Sequence, residues 1–270
     1  MNSFFFNMGE RDFYLTLPSN SSSAYYPDNT IDCYRTKLPQ AIHLNTPYEV
    51  ALTEIHYPLT WDRFPEEDAV IAERFEAAEG VKRRLIPIPT GYYKSIEQLV
   101  KVITQSIEKA AGKRGGSGSV DNVPSFGYDA ITNRVKIVSP YNTELKFNGK
   151  LASILGFPSG KYLRCVDYEE FVAPLPADLN GGTYAMYVYT DLIEHHTVGD
   201  FNVQLMRVVH IEDTPTKHVT TLYAKPQYHQ LAKNHFSTIE VSVKNDQNKP
   251  LGFTYGKIVL VFHFRPSRIN

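Results

Sequence analysis

The chain has 270 residues, of which 42% are hydrophobic, so it can bury a large core as one all-β domain or as a domain with an insertion. Its 28 basic and 29 acidic residues nearly cancel, which argues against a dedicated nucleic-acid-binding protein, because such a protein faces phosphates with an excess of Lys and Arg. No apolar run reaches the roughly 20 residues that span a bilayer, and residues 1–6 lack the basic and apolar regions of a signal peptide.

The first twelve residues, 1–12, are predicted to form an N-terminal arm. They show no sustained hydrophobic period, and Gly9-Glu10-Arg11-Asp12 is polar. Such an arm is disordered alone unless a neighbouring element fixes it. The aromatic run Phe4-Phe5-Phe6 indicates that a neighbouring element fixes this arm.

Most of the remaining chain has the pattern of short strands separated by turn residues. Pro39 is expected to close the second strand and Pro58 the third. Many short strands with regular turn signals are typical of a β-sandwich or barrel. The predicted strands, rich in Tyr, Phe, Val and Thr, are Phe13–Leu17, Ile31–Leu38, Glu49–Tyr57, Tyr184–Leu192, Leu205–Val209, Thr238–Val243 and Ile258–Phe264.

Residues 66–88 fit two interpretations. The composition of Glu66–Glu79 suits a helix, but its apolar residues make a poor stripe at a spacing of 3.6 residues. Glu79-Gly80 can equally form the turn of a hairpin that continues into Val81–Ile88. We favour the hairpin.

A helix is predicted after Ser95, which is a good N-cap residue, and it is expected to end around Ala111-Gly112. Its apolar residues recur at helical spacing and form one face. They are Ile96, Leu99, Val100, Ile103 and Ile107.

A second hairpin and a short helical turn follow. Ser125–Tyr128 and Arg134–Val138 flank a turn at 129–133, and Lys150–Leu155 forms a helical turn that Gly156 closes. The prediction is therefore an α+β insertion at 90–157, made of helix, hairpin and short helix, between strand-rich parts at 13–89 and 158–270.

The glycine-rich segment 112–119 is predicted to be a mobile loop rather than a phosphate site. It lacks the G-x-x-x-x-G-K-[ST] pattern, and the predicted helix precedes the loop instead of following it.

Two cysteines and nine histidines raise the question of metal or redox chemistry. Cys33 and Cys165 lack neighbours at metal-ligand spacing and are interpreted as two buried thiols. No His-x-His occurs, and the adjacent His195 and His196 would point to opposite faces of a strand. Seven histidines gather in the last third of the chain: His195, His196, His210, His218, His229, His235 and His263.

Catalytic patterns are missing too. G-x-S-x-G is absent, and the acidic residues Asp167, Glu169 and Glu170 fit a solvated loop better than an acid–base couple. The 18 Tyr could stack on sugars, but with one Trp they fit cores and subunit contacts better. The sequence therefore predicts no enzyme, no cofactor, and no catalytic, cofactor-binding or metal-ligating residues.

The order of segments from about Phe13 to Arg265 resembles the minor capsid (penton) proteins of Polinton/Maverick elements and adintoviruses. The segments that carry this resemblance are Phe13-Tyr14-Leu15-Thr16-Leu17-Pro18-Ser19-Asn20, Tyr26-Pro27-Asp28-Asn29-Thr30, Leu38-Pro39, Tyr48–Pro58, Ile88-Pro89-Thr90-Gly91-Tyr92-Tyr93, Leu151–Phe157 ending in Leu155-Gly156-Phe157, Tyr187–Asp191, Val198-Gly199-Asp200, Leu205–Val209 and Gly256-Lys257 running to His263-Phe264-Arg265.

The resemblance implies a single jelly-roll β-sandwich, with two four-stranded antiparallel sheets and Greek-key connections, built from parts 13–89 and 158–270. It further implies a homopentamer at the fivefold vertices of an icosahedral, virus-like capsid, beside a double-jelly-roll major capsid protein. The expected location is the virion capsid, after synthesis in the host cytoplasm, with the nucleus left open as the place of assembly.

An alternative from another functional class is a non-enzymatic jelly-roll binding module for a glycan or a host surface protein. That reading predicts a monomer or dimer with a concave aromatic groove.

Overall fold

The computed structural model describes residues 6–7, 11–77, 80–112, 123–139, 142–166, 168–212 and 218–267. Phe4 and Phe5 of the predicted arm lie outside these residues, as do residues 113–119 of the loop predicted at 112–119. The chain divides into two compact units. We call Met1–Trp61 with Thr183–Asn270 the sandwich unit, and Asp62–Gly182 the inserted unit.

The elements follow one another along the chain with one 3₁₀ turn, Glu66–Asp68, before β5. They are β1 (Phe6–Asn7), β2 (Phe13–Pro18), β3 (Cys33–His43), β4 (Tyr48–Pro58), β5 (Val70–Ala77), β6 (Gly80–Pro87), α1 (Ile96–Gly112), β7 (Ser125–Asp129), β8 (Arg134–Val138), β9 (Thr143–Lys146), α2 (Gly149–Leu155), β10 (Tyr162–Cys165), β11 (Glu170–Val172), β12 (Ala185–Thr190), β13 (His196–Val198), β14 (Phe201–Val203), β15 (Leu205–His210), β16 (His218–Leu222), β17 (His229–Gln230), β18 (His235–Lys244) and β19 (Val259–Pro266).

The sandwich unit is a jelly roll. Its first sheet has the order β3-β18-β12-β15, with β1 added at the β3 edge, and its second sheet has the order β16-β4-β19-β2, with β17 pairing to β4. Within these two four-stranded orders every neighbouring pair is antiparallel. The chain passes repeatedly from one sheet to the other, as Greek-key connections require. The predicted fold class, a jelly-roll β-sandwich, is confirmed.

Alternating burial along the strands holds the two sheets together. Phe264 on β19 is fully buried, and its ring lies 4.7 Å from that of Phe13 on β2 and 6.0 Å from that of Phe236 on β18. Tyr34 on β3 donates its hydroxyl to the Leu17 carbonyl of β2 over 3.0 Å. Burial raises the pKa of the Tyr34 phenol, so it stays a protonated donor.

The predicted strands are all present, with bounds that differ by a few residues, but the prediction for Pro39 is wrong. Strand β3 continues through Pro39 to His43. The pairing with β18 jumps from Lys37↔Thr238 to Ile42↔Phe236, so the proline lies in a bulge. A bulge tolerates the missing N–H that would break a regular ladder.

The inserted unit follows β4 in the chain and contains two sheets, β10-β9-β5-β6 and β11-β8-β7. The hairpin interpretation of 66–88 is confirmed, because Ala77 pairs with Gly80 across β5 and β6. Helix α1 buries the five residues of its predicted apolar face. The amide of Gln98 donates to the Ser95 hydroxyl over 3.2 Å, as the predicted cap requires.

The inserted unit is wider than the predicted segment 90–157. Strands β5 and β6 lie before that segment, and β10 and β11 lie after it. They belong to the same core because β5 and β10 both pair with β9, while β11 pairs with β8. Ile71, Ile86 and Leu163 accordingly lie in one hydrophobic cluster with the buried face of α1.

A buried arginine joins the two ends of the inserted unit. Arg63, only 2% exposed, donates from Nη1 to the Asn180 amide oxygen over 2.6 Å and from Nε to the Tyr93 carbonyl over 3.2 Å. Its guanidinium carbon also lies 4.1 Å from the centre of the Tyr92 ring. These contacts hold the entry and exit segments of the unit together.

Candidate binding and assembly surfaces

The outer face of the first sheet carries a groove of about 750 Å³. Its floor comes from β12 and β18, one wall is the β13–β14 hairpin, and the other is the turn Asn245–Asn248. We call this the outer-face groove. All of its lining residues belong to the sandwich unit.

The two-residue period of a strand places the groove's aromatic floor. Met186 and Val188 are buried, so Tyr187 and Tyr189 point to the opposite, outer face. Across the sheet, Tyr187 is paired with Lys244 and Tyr189 with Ser242. Burial, together with the nearby Tyr187, raises the pKa of the Tyr189 phenol.

Asp191 fixes one end of this floor. Its carboxylate accepts from the Lys233 ammonium over 2.8 Å and from the backbone amide of Glu240 over 2.9 Å. Phe201, on the hairpin wall, is 66% exposed. The groove therefore combines an anchored floor with an uncovered aromatic ring.

The outer face of the second sheet holds a different group of rings and charges. Tyr14 stacks on His263 with 4.4 Å between ring centres, and the Tyr228 hydroxyl lies 2.7 Å from His263 Nδ1. The Arg265 guanidinium carbon lies 3.4 Å from the centre of the Tyr228 ring and Arg265 pairs with Glu49. These groups satisfy one another, while Tyr14 keeps 61% of its surface exposed.

The edges of the two sheets are the places where another chain could pair. In the second sheet, β2 and β16 are the edge strands. In the first sheet, Phe6 and Asn7 pair in parallel with Ile42 and His43. Residues 6 and 7 of the predicted arm thus lie along the β3 edge.

Four of the nine histidines meet in two pairs. Among the described residues, no group of three or more His, Cys, Asp or Glu side chains is placed to hold a metal ion. His195 lines the outer-face groove, whereas His196 stacks on His229 with 4.9 Å between ring centres. Burial, with His196 nearby, lowers the pKa of His229. His43 and His235 meet with 2.6 Å between their Nδ1 atoms.

The two cysteines differ in their exposure to solvent. Cys165 is buried, and burial raises its pKa to about 11. The prediction of a buried thiol is wrong for Cys33, which is exposed because β3 turns Tyr34 inward and its neighbour outward.

Of the acidic residues at 167–170, Glu170 pairs with Lys136 over 3.1 Å, and Glu169 is exposed. Asp167 lies outside the described residues.

In comparisons with known proteins, no family model and no curated protein matches the chain. A solved structure does match, that of the selenomethionine-labelled mavirus penton protein, at a TM-score of 0.54 and 11% identity. The match covers 95% of this chain and 100% of that one. The chain therefore shares the fold of that penton protein.

No helix in the described part of the chain is long and apolar enough to cross a membrane.

Proposed function

We propose that the protein is a structural minor capsid (penton) protein, non-enzymatic, that forms homopentamers at the fivefold vertices of an icosahedral virus-like capsid. The observation that carries the proposal is the fold match to a penton protein over 95% of this chain and 100% of the other. Most of both units lies within that match, so the likeness extends beyond the jelly roll alone. The ordered series of segments that resembles Polinton/Maverick and adintovirus pentons supports the same role.

A cyclic pentamer needs two different, complementary surfaces on each subunit, because its interface is head-to-tail and closes on itself. The two edges of the second sheet suit that requirement. Tyr14 on β2 is 61% exposed, and Leu222 at the end of β16 is 72% exposed. Unpaired strand edges with exposed apolar side chains are natural sites for contact with another chain.

Electrostatics also suits close assembly. The formal net charge of −1 gives little repulsion between copies. Within the proposal, the partners are further copies of the chain and a double-jelly-roll major capsid protein. The N-terminal arm, whose residues 6 and 7 pair with β3, would reach a neighbouring subunit in the capsid.

In a cell, the chain would be made in the cytoplasm and end in the virion capsid. The direct test is to co-express it with the major capsid protein and image the particles by electron cryomicroscopy. We expect density for five copies at each fivefold vertex. Particles whose vertices lack the chain, while the major capsid protein assembles without it, would exclude the proposed role.

A charge at the proposed contact provides a variant test. Leu222→Arg should lower vertex occupancy, because a buried, unpaired guanidinium is costly at an interface. Tyr255→Arg is the matched control, since Tyr255 is 54% exposed and lies outside both edge strands. Equal occupancy for the two variants would exclude the β16 edge as the contact.

A further inference from the structure

The outer-face groove has the dimensions of a small-molecule ligand site. Its volume, about 750 Å³, falls within the roughly 300–1,000 Å³ typical of small-molecule sites. Three aromatic rings converge on it, from Tyr187 and Tyr189 on the floor and Phe201 on the hairpin wall. The floor strand β12 is paired on both sides, with β15 and β18, and its register with β15 shifts between Val188 and Tyr189.

Most of the polar side chains that surround these rings are uncharged. The Ser242 hydroxyl, the Asn202 amide and the Glu240 carboxylate line the groove. Together they offer both donors and acceptors. Neighbouring hydroxyl groups, each of which donates and accepts, are the ligand groups that complement such a set.

Flat aromatic faces beside donors and acceptors fit the two sides of a sugar ring. The C–H face of a pyranose packs on a ring such as Phe201, and its hydroxyls reach the polar side chains. Phe201 is 66% exposed, so it can meet a ligand without rearrangement. Burial raises the pKa of the Tyr189 phenol further, and a protonated phenol can donate as well as accept.

The charge of the groove argues against an anionic ligand. Asp191 is neutralised by Lys233, which leaves Glu240 and Asp246 against Lys244 among the lining residues. Lys244 Nζ lies 5.5 Å from the centre of the Tyr189 ring. A phosphate or carboxylate would therefore meet more negative than positive charge.

The sheet argues against an extended peptide. Strand addition needs free backbone N–H and C=O groups, but β12 pairs with β15 on one side and β18 on the other. Strand β18 is likewise paired on both sides, with β12 and β3. The groove floor thus offers side chains only. A helix-binding groove would need a predominantly apolar lining, and this one mixes rings with amides and carboxylates.

We propose that the outer-face groove binds a neutral oligosaccharide, with Phe201, Tyr187 and Tyr189 as stacking rings and Ser242, Asn202 and Glu240 as hydroxyl partners. The inference stands on the groove alone and does not depend on the capsid role. A vertex protein with such a site would attach a particle to a glycosylated surface.

The test uses the full chain on an array of neutral oligosaccharides of hexose and N-acetylhexosamine units, their sialylated counterparts, and sulfated heparin fragments. Neutral oligosaccharides that are retained are then titrated in solution by saturation-transfer NMR. We expect Phe201→Ala to weaken binding about tenfold, which corresponds to roughly 1.4 kcal/mol. Tyr255→Ala is the control, because Tyr255 is 54% exposed and does not line the groove.

A second variant keeps the test decisive if Phe201→Ala disturbs the hairpin. Glu240→Gln keeps the size of the side chain but removes its negative charge. The ratio of the affinities for neutral and sialylated oligosaccharides should therefore decrease. Retention of no neutral oligosaccharide would overturn the proposal. So would a preference of the native protein for sialylated or sulfated glycans, or binding that is unchanged in both groove variants. The mass of the native protein in the same samples reports on assembly separately.

Discussion

At the residue scale, the jelly roll depends on a few aromatic side chains that bridge its two sheets. Phe264 is the clearest, since it is fully buried and stacks between Phe13 and Phe236. A buried ring of this kind contributes through lost water contact and through tight packing. Its removal leaves a cavity that the surrounding strands cannot fill.

Phe264→Ala should therefore lower the free energy of unfolding by about 3–5 kcal/mol. Denaturation in urea, followed by fluorescence or circular dichroism, measures the change. Phe201→Ala is the matched control, because the same truncation at a ring that is 66% exposed should cost within about 0.5 kcal/mol. Similar losses for both variants would contradict the assignment of Phe264 to the inter-sheet core.

At the element scale, local patterns predicted local elements well. Helix α1 was readable because its five apolar residues repeat at helical spacing and Ser95 precedes them. The prediction that Pro39 ends its strand was wrong, because the partner strand, here β18, decides whether a proline ends a strand or lies in a bulge. The short strands β9 and β11, of four and three residues, are too short to show a clear periodic signal of their own.

The end of α2 gives a sharp prediction at this scale. Gly156 has a φ of +79°, and a Cβ there would lie 2.2 Å from the Leu175 carbonyl oxygen. Gly160 has a similar φ of +73° but open space around it. Gly160→Ala should thus cost only the left-handed strain, about 1–2 kcal/mol, whereas Gly156→Ala should cost more than about 3 kcal/mol.

Thermal unfolding of the two variants compares these costs directly. Because both substitutions add one methyl group at a left-handed position, their difference isolates the contact with Leu175. Equal melting temperatures would show that the Leu175 backbone is not packed against the end of α2.

At the scale of the whole molecule, the fold class was predictable and the surfaces were not. Alternating strands and the ordered segments indicated a jelly roll, and the sheet orders agree with it. Only part of the outer-face groove could be predicted from the sequence. Tyr187 and Tyr189 alternate with apolar residues in the sequence, but their registers with Lys244 and Ser242 and the position of Phe201 depend on long-range pairing.

The number of copies in the assembled protein is the most direct test of the proposed homopentamer. Light scattering gives this number as the absolute mass of the purified chain, measured across salt and pH. From 30.7 kDa per chain, a homopentamer has a mass of about 150 kDa, and we expect a species of that mass with cyclic, closed assembly. A mass of one chain at every protein concentration, salt and pH, alone and with the major capsid protein, would contradict the account.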